Sequence, residues 1–594
     1  MTGADEGTTG DRSPLARLQA VLPGDGETTR HAVLGTIAGA IAVLTLIPVV
    51  VLVWTSVWSG YPGQFDASLT IGNVVRVYVG GFFDVVGLFS NSLTIAVGMT
   101  LTGMAVGLTF AWLFVRTNVP TKSWMELVLL SGQGIPGYIY AIMYITSYGP
   151  ENGMLSTFLR DTVGLEALPV SIFSPWGIAF VAGISVIPTF YLLTVPAIQD
   201  MNPALEEVSR IHGASTLGTI RSISIPVVKP AILSAALVTF LYGLGEFAVV
   251  AILGARNGFD VYSTAIWKAI GSRFPPAYGE AAALGCSLLL VTLLLVWYYR
   301  RVTRRKSAFM TVTGRGYHSQ HWDLGRWRWP VALALWTTLV VIWVVPTAVM
   351  VLASLHTTWF GHLDTSALTL THYAEALANP QLRDAFANSL VVAGAGATLG
   401  TVLVVGMAYY TERTKARLRG VVDFLSLTPL AVPGIIMGSS LLFTFLWVGK
   451  VHSLFDLYGT LAIIVIGSVI VFIPVSSRIA VGNIVQIHSE LEEAARIAGA
   501  SWLQQMREIF LPLFRNTAAV IWFFLAIHIF QLLTIAVMTY TTDTVVVPVK
   551  LFQLYMFRPS IELVSAISTL IVGLTVLLLL GLRALGVTFY DSGR

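Results

Sequence analysis

Twelve apolar stretches limit what this chain of 594 residues can fold into. They lie at 32–57, 90–115, 124–148, 171–197, 229–254 and 276–299, then at 329–355, 388–411, 423–448, 459–481, 515–541 and 562–587. A helix needs about 20 apolar residues to cross roughly 30 Å of hydrocarbon, and each stretch reaches that length. Only 11% of the residues are charged, against roughly 25% in an average soluble domain. We therefore predict an all-α polytopic membrane protein with about 12 transmembrane helices.

Charge and cysteine content indicate how these helices are oriented in the membrane and which kinds of site are excluded. The segment 1–30 is polar, so we expect the first apolar stretch to be an uncleaved span rather than a secretory signal. With the N-terminus inside, 26 of the 35 Lys and Arg fall on the cytoplasmic side, as the positive-inside tendency requires. The sequence thus predicts a multi-pass protein of the cytoplasmic (inner) membrane, surrounded by lipid, with both termini cytoplasmic and no nucleic-acid partner. The single cysteine, Cys286, excludes an intrachain disulfide.

Short motifs recur along the chain and indicate an internal duplication. Two of them recur at an offset of 297, namely Asn91-Ser92-Leu93 as Asn388-Ser389-Leu390, and Ile135-Pro136-Gly137 as Val432-Pro433-Gly434. Glu126 and Asp423 share this offset at the predicted start of the third span, where we expect stabilisation of a helix N-terminus ahead of a functional role. Two parallel six-helix repeats predict a pseudo-twofold axis along the membrane normal, with any translocation path on that axis.

The duplication divides the chain into five segments. We expect a cytoplasmic tail at 1–30, a first six-helix domain at 31–300, a basic cytoplasmic linker at 301–328, a second six-helix domain at 329–588 and a C-terminal tail at 589–594.

The loop before the fifth span of the second half has the pattern of two short helices. Ser489 with Glu492, and Ser501 with Gln504, have capping-box spacing. Gly499 lies between the two predicted helices, where a left-handed cap favours a residue without Cβ.

The equivalent loop of the first half follows the same plan at an offset of 286. Asn202 can cap a helix, and Pro203 suits its first position. Glu207, Gly213 and Pro226 correspond to Glu493, Gly499 and Pro512.

The second loop resembles the EAA signature of binding-protein-dependent ABC importer permeases. Its fixed positions are all matched, by Glu493, Ala494, Ala495, Gly499, Ile509, Leu511 and Pro512. The first loop keeps Glu207, Gly213, Ile223 and Pro226. It has Val208-Ser209 for the two alanines and Ile225 for the leucine, and so is a degenerate copy. The tandem fusion of two permease repeats is similar to the layout of ferric-iron transport permeases.

The resemblance implies that other proteins supply the ATP hydrolysis and the substrate delivery. The loops 200–226 and 486–512 would be coupling loops that dock on a separate ABC ATPase subunit in two copies, with Glu207 and Glu493 meeting a basic group there. ATP and Mg would be used by that subunit, so this chain would be neither an enzyme nor the holder of a cofactor. An extracytoplasmic binding protein would deliver the substrate, with ferric iron expected and thiamine or a phosphonate as alternatives. The chain's only Gly-Lys pair, Gly449-Lys450, is followed by Val451 and forms no phosphate-binding loop.

A few polar residues in the predicted fifth spans are candidates for the substrate pathway. Glu246 is a carboxylate deep in a predicted span, where an ionised group faces the bundle interior or water. Tyr242 lies four residues earlier, on the same face of a continuous helix, and the second half carries His528 and Gln531 in the same frame. For Glu246 and His528 a purely structural role stays open. The sequence offers no catalytic residues and no metal-ligand cluster.

A secondary carrier or channel is the alternative from another class, because internal repeats around an axis suit those proteins equally well. It leaves the two helix–Gly–helix loops unexplained.

Overall fold

The computed structural model describes residues 26–164, 170–304, 322–414, 416–453, 456–558 and 560–584. Within these ranges the regular structure is helical, and three isolated bridges are the only strand-like pairings. Eleven helices are long and apolar enough to span a membrane, and a bent helix pair raises the number to twelve. The prediction of about 12 spans is therefore confirmed.

The first half contains helices α1 to α12. Their bounds are Gly26–Ser56 (α1), Gly72–Tyr78 (α2), Val85–Arg116 (α3), Lys122–Ser131 (α4), Gly137–Tyr148 (α5), Met154–Phe158 (α6), Pro175–Gln199 (α7), Pro203–Ile211 (α8), Ile220–Leu244 (α9), Ala248–Leu253 (α10), Tyr262–Gly271 (α11) and Tyr278–Arg304 (α12). A single turn at Thr216–Thr219 leads into α9.

The second half contains helices α13 to α23. Their bounds are Gly325–Ser354 (α13), Thr371–Ala378 (α14), Pro380–Arg413 (α15), Arg419–Leu427 (α16), Gly434–Val451 (α17), Leu461–Ile484 (α18), Glu490–Ile497 (α19), Trp502–Phe530 (α20), Ala536–Thr539 (α21), Val547–Phe557 (α22) and Ile561–Ala584 (α23).

The third span of each half departs from the predicted continuous helix. In the first half the segments Lys122–Gly134 and Gly137–Tyr148 meet at an angle of 111°. Pro136 stands at this break, and Pro433 separates α16 from α17 in the same way. Proline has no N–H and pushes the preceding residue into extended backbone, and Ile135 and Val432 both have that conformation.

The fifth spans start and end earlier than predicted. The stretches 229–254 and 515–541 are replaced by α9 and α20. Both helices begin inside the preceding loop, because a π-helical turn carries each of them through the proline of the loop motif. The first ends at Leu244, next to Gly245, a residue with poor helix propensity. The residues beyond these ends form separate short helices, α10 and α21.

The second, fourth and fifth spans of each half pack together, and the first span of each half also packs against the other half. Helices α3, α7 and α9 pack together, as do α15, α18 and α20. Small residues permit close approach, since a Cβ at Gly98 would lie 2.5 Å from that of Ala179. Helix α1 packs on α17 of the other half, and α13 packs on α5. Tyr148 Oη donates to Val341 O of α13 at 2.8 Å, which fixes this contact between the halves.

Candidate coupling loops and central contact

The two loops before the fifth spans adopt the predicted helix–Gly–helix form. Gly213 and Gly499 both have φ of +85°, the left-handed conformation expected of them. Ser501 and Gln504 form the predicted capping box, with Ser501 N at 2.8 Å from Gln504 Oε1. Asn202 Oδ1 accepts from Ala204 N at 3.0 Å and so caps α8 as predicted.

The predicted capping box at Ser489 is wrong. The Ser489 side chain makes no capping hydrogen bond, and Glu492 is buried instead of reaching back to the helix start. Its carboxylate turns toward the end of α15, where stronger partners are available.

The residues of the EAA-like motif divide into exposed and supporting positions. Glu207 and Glu493 are both exposed, on the membrane face that carries the loops, which we name the loop face. Pro226 and Pro512 stand at the starts of regular α-helix in α9 and α20, directly after the π turns Ile220–Ser224 and Met506–Phe510. A proline ring widens the turn before it, so these prolines account for the π geometry.

An apolar cleft lies on the loop face beside the first loop. Its volume is about 530 Å³, and it is lined by Leu205, Val208, Ser209, His212, Gly213, Ala214 and Ile223. Leu205 and Val208 are exposed hydrophobic residues at its edge. An exposed apolar patch rimmed by polar residues is typical of a protein interaction site.

A buried arginine ties each loop to the second and fourth spans of its half. Arg413, the last residue of α15, donates from Nη2 to Ile484 O at 3.1 Å and to Ile487 O. Arg116, the last residue of α3, donates from Nη2 to Ile198 O at 2.8 Å and to Met201 O at 2.7 Å. In both halves the cation satisfies carbonyls at the C-terminal end of the fourth span, the end that the helix dipole makes negative.

Each loop also contains a buried carboxylate, and in the second half this carboxylate pairs with the arginine. Glu492 Oε2 accepts from Tyr409 Oη at 2.8 Å, and Glu492 Oε1 lies 3.5 Å from Arg413 Nε. Glu206 Oε1 accepts from Ser224 Oγ at 2.6 Å, and its Oε2 accepts from Trp322 Nε1 at 3.2 Å. The carboxylates thus join the loops rigidly to the membrane helices.

Sequence reasoning missed these buried residues, although a signal was present. Arg116 and Arg413 differ by 297, and Glu206 and Glu492 differ by 286. These are the two offsets that already marked the repeats.

The prediction that Glu126 and Asp423 stabilise helix N-termini is wrong. Neither lies in the first turn of its helix, α4 or α16. Glu126 Oε1 accepts from Tyr191 Oη at 2.6 Å, and Asp423 pairs with Arg478. Both partners belong to fourth spans, so the two carboxylates fasten the short third-span helices to their neighbours.

The broken spans of the two halves meet at the centre of the molecule. A Cβ at Gly245 would lie 2.7 Å from that of Pro433, which leaves no room for a side chain there. Gln531 is the residue equivalent to Gly245, and its Nε2 donates to Gly134 O of the first half at 2.8 Å. Because each contact joins one half to the other at equivalent positions, the contacts flank the pseudo-twofold axis.

The pathway candidates Tyr242 and Glu246 are placed differently from the prediction. Glu246 lies two residues beyond the end of α9, so it does not share a helix face with Tyr242. It is half-buried, and its Oε1 accepts from Val249 N at 2.9 Å, at the start of α10. Tyr242 lies within α9 and is 39% exposed. The side chain at Glu246 therefore has a structural contact in addition to its central position.

His528 and Gln531 flank the same break in the second half. His528 Nδ1 lies 2.7 Å from Phe524 O, and its ring packs on Phe472 and Phe524. Gln531 is 7% exposed and donates to Thr575 Oγ1 as well as to Gly134 O. Within the described ranges no three His, Cys, Asp or Glu side chains are grouped so as to hold a metal ion.

These features define a class of protein. The chain is a duplicated helical membrane protein whose halves meet at a central axis, and each half presents a rigid helix–Gly–helix loop on the same face.

Comparison with known proteins identifies the family. The sequence model of one protein family, the "Binding-protein-dependent transport system inner membrane component", matches residues 103–308 and 400–587. The chain belongs to this family, with its domain in two tandem copies, and is the multi-pass inner-membrane permease of an ABC importer.

Three relatives cover most of the chain. "Probable ABC transporter permease protein y4fN" of Sinorhizobium fredii is 25% identical over 82% of this chain and 84% of its own length. "Ferric transport system permease protein FbpB" of Actinobacillus pleuropneumoniae is 26% identical over 74% of this chain. The match spans 62% of that relative's length. "Fe(3+)-transport system permease protein FbpB 2" of Haemophilus influenzae is 22% identical, with shares of 72% and 75%.

Proposed function

We propose that the chain imports ferric iron, delivered by an extracytoplasmic binding protein, by alternating access driven by two copies of a separate ATPase subunit. The names of two relatives that cover more than 70% of the chain support iron as the substrate. The single observation that carries the ATP-driven mechanism is the pair of rigid loops on one face, each with an exposed glutamate at the same position.

The loops suit the transmission of a rigid-body movement. In the second half the Arg413–Glu492 pair attaches the loop to its half. In the first half Arg116 donates to Met201 O of the loop. A push on α8 or α19 therefore moves the second and fourth spans of that half together.

Rotation of one half against the other would separate Gly245 from Pro433 at the axis. Such rigid-body rotation is a common way for two packed bodies to switch between states. In this proposal the loop face and both termini are cytoplasmic, and Glu207 and Glu493 meet basic groups of the ATPase.

The test is reconstitution of the chain with the ATPase and the binding protein in proteoliposomes. We expect uptake of radioactive ferric iron that needs ATP and both partners, while the chain alone neither binds nor hydrolyses ATP. ATP-dependent uptake of thiamine or aminoethylphosphonate, with no iron uptake, would replace the substrate but keep the mechanism. Uptake driven by an ion gradient without the ATPase would overturn the proposal in favour of a secondary carrier.

A further inference from the structure

The end of the inter-domain linker is fastened to the first half. Trp322 N donates to Arg116 O at 2.7 Å, and Trp322 O accepts from Asn118 N at 3.3 Å. Asn118 Nδ2 donates to Asp323 Oδ1 at 2.7 Å, while Asn118 Oδ1 accepts from Leu324 N at 3.0 Å. The Gly325 N–H, and after it the Asn118 amide, hold the pKa of Asp323 below its ordinary value. We name residues 322–324 the linker strap.

The strap places its tryptophan on the first coupling loop. Trp322 Nε1 donates to Glu206 Oε2 at 3.2 Å, and the Trp322 ring meets the Trp112 ring edge-on at 5.3 Å. Glu206 is 1% exposed, so its carboxylate depends on such donors, because burying a charge without hydrogen bonds is costly.

The second half makes the same two contacts without any linker. Tyr409 occupies the position equivalent to Trp112, and its hydroxyl donates to Glu492 Oε2. The Tyr409 ring packs edge-on against Trp502 at 6.4 Å, a residue of the coupling loop itself.

The first half has neither the tyrosine hydroxyl nor the loop tryptophan at the equivalent positions. Thr216 stands where the second loop has Trp502. Trp112 Nε1 is buried and finds no hydrogen-bond partner among the described residues, so Trp112 does not replace the tyrosine hydroxyl. In the same ranges no ion pair within 4 Å joins Arg116 to Glu206, whereas Arg413 and Glu492 approach to 3.5 Å.

We infer that Trp322 is a positioning residue for the first coupling loop, supplying from the linker the hydrogen-bond donor and the aromatic ring that Tyr409 and Trp502 supply in the second half. The strap leads directly into α13, whose Trp336 Nε1 donates to Thr121 Oγ1 of the first half at 3.0 Å. Movement of the first coupling loop therefore reaches the first span of the second half as well as the helices of its own half. This consequence for transport rests on the proposed function, while the positioning itself does not.

The test of positioning uses the full chain in lipid nanodiscs, without ATPase or substrate. Amide hydrogen exchange is measured by mass spectrometry over residues 203–215 and 490–500. Trp322→Phe keeps an aromatic ring but removes the indole N–H, and we expect exchange about tenfold faster in the first loop alone, the scale of one lost hydrogen bond to a charged group. Tyr409→Phe is the matched control and is expected to affect only the second loop.

The double variant Trp112→Tyr with Trp322→Phe separates positioning from general damage. It places a hydroxyl where the second half has Tyr409, so we expect first-loop exchange to return to within about threefold of the wild type, roughly half the energy of the lost bond. Unchanged exchange in the Trp322→Phe chain, equal acceleration in both loops, or no recovery in the double variant would each overturn the inference.

The assembled importer gives a second readout. With ATPase and binding protein present, Trp322→Phe should raise the ATP hydrolysed per substrate molecule moved, and the double variant should lower it again. If the proposed substrate is wrong, iron uptake is absent in all variants while the exchange pattern still appears. The failure of the function and the failure of the inference are therefore distinguishable.

Discussion

Gln531 of the second half donates a hydrogen bond to the carbonyl oxygen of Gly134 in the first half, at 2.8 Å. Gly134 ends the third-span segment just before the break at Pro136, and Gln531 follows the last residue of α20. The equivalent residue of the first half is Gly245, which touches Pro433 with no side chain between them. The two sides of the axis therefore differ in chemistry. One side has the hydrogen bond from Gln531, and on the other side the backbone of Gly245 is in direct contact with Pro433.

Replacing Gln531 by Leu tests this bond. Leucine has a similar size but cannot donate, so the half-buried Gly134 carbonyl and the Thr575 hydroxyl each lose a partner. We expect a loss of about 1–3 kcal/mol in the free energy of unfolding, measured by thermal or denaturant unfolding in detergent. Gln486→Leu is the control, because Gln486 is exposed and its side chain donates to Gly482 O at the end of helix α18. Equal destabilisation by both variants would contradict the role given to Gln531.

A second prediction separates the two adjacent glutamates of the second loop. Glu492→Gln breaks the buried pair with Arg413. The Glu492 side chain is 8% exposed and the Arg413 side chain is 11% exposed. Leaving a buried charge unpaired costs on the order of 3 kcal/mol. Glu493→Gln changes an exposed residue, so stability should stay within about 0.5 kcal/mol. If Glu493 meets a basic group of the ATPase, only this second variant should lose affinity for that subunit while the chain stays fully folded. Unfolding curves and pull-down with the ATPase distinguish the outcomes.

The third prediction concerns the two left-handed glycines. Gly213 and Gly499 have the same φ of +85°, and nothing lies within 4 Å of a Cβ placed on either. Valine resists positive φ, so each Gly→Val variant should destabilise its own loop by about 1–2 kcal/mol. Because the two sites have the same φ and the same open space, the two Val variants should increase the hydrogen-exchange rate of their loops by the same factor. Gly482→Ala, in the last turn of helix α18 with open space around it, is the control and should not accelerate exchange. Clearly unequal effects of the two Val variants would show that the loops differ in their support.

The sequence allowed a prediction of the number of spans, the duplication and the two loops, because each depends on local patterns. Apolar length predicts a membrane helix, and glycine at a fixed place between two capped helices predicts a left-handed turn. The capping box at Ser501 followed from the same local rule and is confirmed.

Several of the failures involve contacts between distant parts of the chain. Ser489 has the spacing of a capping box, but Tyr409 and Arg413 lie 83 and 79 residues from Glu492 in the chain and bind its carboxylate instead. Gly245, directly after the end of α9, is in close contact with Pro433 of the other half. Apolar periodicity contains no information about such partners.

The last prediction concerns Glu246, whose two roles can now be separated. Its carboxylate accepts from Val249 N at the start of α10, next to the central contact of the halves. Glu246→Gln keeps an acceptor for that N–H but removes the charge, so stability should change little. Glu246→Leu removes the acceptor as well, and the lost cap should cost about 1 kcal/mol. If the carboxylate also meets a cationic substrate, Glu246→Gln should lower transport several-fold at unchanged basal ATPase activity, because the coupling loops are intact. The measurement is transport normalised to assembled complex, and wild-type rates in both variants would leave Glu246 with the cap alone.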